Sequence, residues 1–288
     1  MIFNQQFLAL FATMSLVFSN VDGRPANILE GHHCDVSKQN LLSNNITSIF
    51  CNESGDQTEF HSVALEECSA VMTYFDGEFD NEAADLLAKM MAGIDSPMEL
   101  KVVAIIDTDI DDEGAMAIAE AISLADIPLL SEIWMKNNDI GDDGATALAS
   151  AISGIKSINQ LGMSGNAIGD AGAIALAKAI VDVSDLYAIG LGRNQITDEG
   201  AAALAESIAR MCSIEVLHLN GNLITDEGGA VLAEAIATSP SPFSYIIDMR
   251  ENKICDPDVI HQLDNASASE LVFLENQNCD AVDHRGPY

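Results

Sequence analysis

Three short clusters carry residue types from which catalytic or metal chemistry is built. Gly162-Met163-Ser164-Gly165 opens like a nucleophile elbow, in which a sharp strand-to-helix turn exposes a serine hydroxyl. The fifth position is Asn166 where that turn needs glycine, so no elbow is expected. Asp107-x-Asp109-x-Asp111 begins like a calcium loop, yet Asp112 stands at the glycine position and Ile118 where a bidentate Glu is required. His32 and His33 beside Cys34 offer imidazole and thiolate, but adjacent histidines in a loop next to a bridging cysteine read as exposed side chains. Phosphate-loop, H-E-x-x-H and C-x-x-C patterns do not occur in the sequence. The chain is expected not to be an enzyme, with no catalytic residue, no metal-ligand set and no cofactor. Diffuse Ca²⁺ binding by scattered carboxylates stays open.

The serine and aspartate clusters both lie inside a repeat, and the repeat dictates the elements around them. IWMKNNDIGDDGATALASAI (133–152), LGMSGNAIGDAGAIALAKAI (161–180), IGLGRNQITDEGAAALAESI (189–208) and LHLNGNLITDEGGAVLAEAI (217–236) align on Asn138, Asn166, Asn194 and Asn222, each 28 residues after the last. A weaker copy at 105–122 has Thr108 in the Asn place, and another at 247–258 has Asn252. A closing half-repeat is read at 271–276, ending on Asn276. Before the first copy, residues 80–90 resemble the helical half alone. Alternating apolar residues predict short strands centred on residues 104, 134, 162, 190, 218 and 248, with a last strand near Val272. The repeat Asn is expected to bond turn backbone and the next coil. Asp142, Asp170, Asp198 and Asp226 are expected as helix N-caps, and Gly144, Gly172, Gly200 and Gly228 as points of close helix approach.

This pattern resembles the ribonuclease-inhibitor type of leucine-rich repeat, over roughly residues 100–279. The resemblance implies an α/β leucine-rich-repeat solenoid with a parallel concave sheet and convex helices. It names no function, because one fold serves many.

Composition sets the surroundings. Among 288 residues, 45 acids against 12 Lys and Arg give a net charge of −33, which repels a phosphate backbone and excludes nucleic acid as a partner. The run Phe7–Phe18 has the length of a secretory core and is too short to span a bilayer. Later segments are shorter still than a span, so a secreted, extracellular protein is expected. The organisation is then a signal peptide at 1–23, an N-terminal capping segment with a disulfide at 24–98, about six repeats plus the half-repeat at 99–279, and a tail at 280–288. Asn45, Asn52 and Asn265 head glycosylation triplets. Cys255 and Cys279 each fall three residues after a repeat Asn, so stacked coils predict a disulfide between them. Two of Cys34, Cys51 and Cys68 are expected to bridge, and Cys212 reads as a buried small hydrophobe.

Scarce cations and the single Trp gather on one face. Strand positions turned away from the helices include Trp134, Lys136, His218, Asn220 and Arg250, with Arg193 beside them, around a centre of bare glycines. Trp and Arg are the anchors a protein interface favours. The sequence thus points to a protein or peptide partner docked on the concave face. Two alternatives stay open: an acidic extracellular or biomineral matrix protein, and an inhibitor of a secreted cationic enzyme.

Overall fold

Each coil folds for the same local reasons. Two apolar residues, two apart, turn one face of a short strand inward, and an Ala-rich stretch behind an acidic turn continues as helix. In the computed structural model, residues 34–35, 70–74, 80–92, 100–239, 246–266, 272–275 and 277–279 are described. The segment expected as a signal peptide, His32, His33, Asn45, Asn52, Cys51, Cys68, Asn276 and residues 280–288 lie outside them, and of Cys34 only its place in a strand is described. The described strands are β1 (Cys34–Asp35), β2 (Ala70–Tyr74), β3 (Val102–Ile106), β4 (Glu132–Trp134), β5 (Gln160–Gly162), β6 (Ala188–Gly190), β7 (Val216–His218), β8 (Ile246–Asp248) and β9 (Val272–Phe273). They form one parallel sheet in sequence order. The helices are α1 (Asn81–Ala92), α2 (Asp112–Leu124), α3 (Asp142–Ile152), α4 (Asp170–Ile180), α5 (Asp198–Ile208), α6 (Asp226–Thr238) and α7 (Pro257–Ala266). Each helix packs on the next, and a single core runs between helices and sheet.

Every strand centre expected from the alternation is occupied by a strand. The solenoid also continues upstream of residue 99, since β2 pairs along all five residues with β3 and α1 packs on α2. Leu176, Ile180, Leu204 and Ile208 point into the core, as do the isoleucines two after each repeat Asn: Ile140, Ile168, Ile196, Ile224 and Ile254.

Two polar ladders join the coils, and both correct the expected wiring. The asparagines reach back to the preceding coil rather than forward to the next. Asn194 donates to Met163 O (3.0 Å) and Leu191 O (3.1 Å) and accepts from Ile168 N (3.1 Å). Asn166, Asn222 and Asn252 repeat the pattern, and Asn138 accepts from Thr108 N and Oγ1. In the last coil Gln277, not Asn276, takes the place, accepting from Ile254 N and donating to Met249 O and Leu274 O.

The aspartates cap the neighbouring helix instead of their own. Asp142 is the first residue of α3, and the cap position before it is Gly141, which has no side chain to offer. Its Oδ1 accepts from Gly169 N and Gly172 N of the following coil, both at 2.8 Å. Asp198 does the same for Thr225 N (2.7 Å) and Gly228 N (3.0 Å), and takes the Thr225 hydroxyl on Oδ2 (2.6 Å). Asn81 begins this series, accepting from Asp111 N and Gly114 N. Glycine is required where the helices meet: a Cβ at Gly144 would lie 2.8 Å from Asp112 Oδ1 and 2.9 Å from the Ala115 methyl.

Cys255 and Cys279 are joined, with Cα atoms 5.8 Å apart. Cys212 corrects the buried reading, because the bend after α5 turns its side chain outward while Met211 beside it fills the core. Asn265 is exposed in the last turn of α7, its amide donating to His261 O (2.6 Å). We expect Cys255→Ser to release a titratable thiol at Cys279 and to lower stability by about 3 kcal/mol, the chain-entropy value for a loop of this order. Thiol counting together with denaturant unfolding checks both.

Candidate binding surface

The strand register lines up one row of residues across the face turned away from the helices. Ala104, Trp134, Gly162, Gly190, His218, Asp248 and Phe273 pair in succession. Past the strand ends the backbone keeps bonding from coil to coil, Asn137 N to Ser164 O and Arg193 N to Asn220 O (2.6 Å). That places Lys136, Ser164, Gly192, Asn220 and Arg250 in a second row. Immediately after it, Asp107, Asn137, Arg193 and Glu251 hold left-handed backbone, with φ between 52° and 58°. Gly165 and Gly221 occupy the same place at little steric cost.

The expected bare glycine centre is not bare. A Cβ on Gly162 would meet Trp134 Cε3 at 2.2 Å and Cζ3 at 2.5 Å, so the six-membered ring of the indole takes the space over that glycine, and Trp134 is only 6% exposed. Its Nε1 donates to Glu132 Oε2 at 3.0 Å. The Asn220 amide covers Gly192 in the same way, and the Arg193 stem covers Gly221. Gly162, Gly192 and Gly221 are seats of larger neighbours. Trp134 is thus a packed element of the face and not a protruding anchor.

Farther along, Asp248 is 3% exposed and holds Arg250 through Nε (2.9 Å) and Nη2 (2.6 Å). The guanidinium also lies over the Phe273 ring, 5.4 Å from its centre. The arginine is 45% exposed yet fixed on two sides. Its hydrogen bond to Asp248 raises its pKa further, while burial opposes this. Alongside, Ala188, Val216 and Ile246 form a small apolar cluster with Tyr187 and Phe273. Burial, then Glu132 and Glu215, push the Tyr187 phenol up to about 12, and burial raises both carboxyls.

His218 Nδ1 stands 3.9 Å from Asp248 Oδ2. Burial lowers its pKa from 6.5 to about 4; the Asp248 charge opposes that shift and Arg250 adds to it. A depressed histidine keeps its stabilising contribution above pH 6.5 and loses it as the pH falls toward 4, because only the unfolded chain takes up the proton in that window. Relative to His218→Gln, the wild-type chain should therefore lose stability more steeply between those pH values, measured by thermal unfolding at matched ionic strength.

The chemistry offered is recognition of a surface, by an aromatic ring, fixed cations and amides. All six residues named from sequence, Trp134, Lys136, Arg193, His218, Asn220 and Arg250, lie on this face. Sequence reasoning missed Asp248 as the buried clamp and Phe273 as the ring beneath Arg250, although both sit at repeat positions readable from the spacing.

Five segments, residues 100–119, 130–149, 156–177, 190–205 and 210–233, match the family model described as Leucine Rich repeat. The solenoid is built of leucine-rich repeats. A comparison with curated proteins found no match. Among solved structures, the leucine-rich-repeat chain is similar to an internalin from Listeria monocytogenes at 16% identity and a TM-score of 0.44, over 72% of this chain. It spans 54% of the internalin's length. It is also similar to the structure titled leiomodin-1 actin-binding site 2, at 12% identity and a TM-score of 0.42, over 54% of this chain and 86% of that one. Among the described residues, no helix is long and apolar enough to cross a membrane.

Proposed function

We propose that the chain is a secreted, non-enzymatic recognition module of ribonuclease-inhibitor-type repeats that docks a protein or peptide on its concave face. The observation that carries this reading is the preorganised row from Trp134 to Phe273. Its large side chains are already immobilised by glycine seats and by the Asp248–Arg250 clamp. Rigid groups lose little conformational freedom on binding, so more of their contact energy appears as affinity. The apolar run at 7–18 and the triplets at Asn45, Asn52 and Asn265 support export and glycosylation.

A matrix protein acting through its carboxylates is the second reading, and net charge favours it. Several aspartates are, however, already spent on backbone amides of the next coil. A cationic enzyme as partner draws on the same charge. Capture from extracellular material at low and high salt separates them, since screening removes charge-driven binding. The expected partner survives high salt, is lost with His218→Ala/Asn220→Ala, and is kept by the convex pair Glu206→Lys/Glu234→Lys. Loss with the convex pair alone would transfer the function to the carboxylates.

A further inference from the structure

Two carboxyls of the concave face stand where no described cation pairs with them. The sheet register lines up Glu132, Gln160, Ala188, Val216 and Ile246 in a row two residues before the one that holds Trp134. Alternate strand residues share a face, so Glu132 and Gln160 lie on the same side as Trp134. Tyr187 packs against Ala188, Val216 and Ile246, and the charges of Glu132 and Glu215 both act on its phenol. The phenol thus has one carboxyl two coils before it, roughly 10 Å along the sheet, and another one coil after it. All three side chains are partly exposed. Glu132 accepts from Trp134 Nε1, which holds its carboxylate along the face. Neither Glu132 nor Glu215 forms an ion pair among the described residues, Lys101 one coil before Glu132 included. The cations of the face are engaged elsewhere: Lys136 faces Asp107, and Asp248 holds Arg250. Arg193 follows β6 by three residues, at the end of that strand opposite Tyr187.

Resting on the concave docking reading, we propose that the strip bounded by Glu132, Tyr187 and Glu215 receives a lysine or arginine side chain from a basic segment of the protein partner. A long basic side chain carries both halves of what the strip offers. Its stem lies on the Tyr187 ring, and its charged head goes between the carboxylates. Burial raises the pKa of both carboxyls, so part of the desolvation they undergo on pairing is complete before a cation arrives. A half-buried pair of this kind is screened by salt less than a surface pair, in keeping with a partner that survives high salt. The net charge of −33 draws a basic segment from every side, and these carboxylates select where it docks. A bare metal ion is a poorer match. Among the described residues, no three His, Cys, Asp or Glu side chains are grouped to hold one.

Panning a random dodecapeptide display library on the full chain at physiological salt should return peptides enriched at least twofold in Lys and Arg over the input. Net charge alone would also enrich basic peptides, so two variants with the same loss of charge decide the site. Glu132→Gln/Glu215→Gln, which keeps an oxygen for Trp134 Nε1, should bind a synthetic copy of the best peptide at least tenfold more weakly, with circular dichroism and melting temperature unchanged. The convex pair Glu206→Gln/Glu234→Gln should bind it within twofold of the wild type. If the concave double variant does not fold, Glu215→Gln alone, which gives up no hydrogen bond among the described residues, should weaken binding at least threefold. Equal weakening by both pairs, no weakening by the concave pair, or no peptide selected would each overturn the inference. So would spermine that binds through Glu132 and Glu215 while peptides do not. Acidic or apolar peptides lost through His218→Ala/Asn220→Ala would overturn the basic segment and leave concave docking standing. Basic peptides lost through the convex pair alone would sink concave docking with it.

Discussion

Asn222→Ala is expected to destabilise the chain by at least about 3 kcal/mol, although it removes no apolar core atom. The asparagine is 3% exposed and serves three backbone groups: Leu191 O and Leu219 O, both at 2.9 Å, and Ile196 N at 3.1 Å. Leu191 O and Leu219 O keep a second partner in the Asn194 and Asn252 amides, so the substitution leaves Ile196 N unpaired, at a cost of roughly 1–3 kcal/mol, and removes two further hydrogen bonds worth roughly 1 kcal/mol each. Asn220→Ala, two residues earlier, is the control. Its side chain lies over Gly192 on the surface, and its loss should cost about 0.5 kcal/mol or less. Chemical denaturation of the two variants measures the difference.

Gly162→Ala should be nearly as disruptive and is visible by a different signal. A methyl 2.2 Å from Trp134 Cε3 cannot coexist with the indole, so the ring must leave its seat. Overpacking of this kind costs about 1–3 kcal/mol. Because the sequence has one Trp, emission reads this face alone. The variant should emit farther to the red and be quenched by iodide faster than the wild type. Unchanged emission would mean that the indole does not rest on Gly162.

The fold was legible because the repeat imposes the same residue at the same structural place many times. An Asn every 28 residues and an apolar pair before it leave little freedom in register. Where the pattern weakens, the reading slipped. In Leu271-Val272-Phe273-Leu274 both faces are apolar, so alternation alone does not choose between two registers one residue apart. The pairing of Asp248 with Phe273 and the amide of Gln277 settle it, and Phe273 turns toward Arg250.

The direction of the polar ladders was hidden for a related reason. Spacing shows that Asp142 precedes a helix, but not that Gly141 leaves its own cap empty while Gly169 N lies within reach one coil on. The candidate face was legible as a list and not as an arrangement. Residue type marked Trp134 and Arg250, whereas the seat under one and the clamp beside the other depend on distances between coils.

Trp134→Ala would lower stability along with affinity, because the ring is a packed part of the sheet. Its fluorescence is the better probe. The most direct measurement of concave docking is a titration of Trp134 emission with the partner that survives high salt, run beside calorimetry on the same samples. A saturable change in emission, with the calorimetric midpoint and undisturbed by Glu206→Lys/Glu234→Lys, is the predicted result. Heat of binding with emission unmoved, and lost in the convex pair, would contradict it.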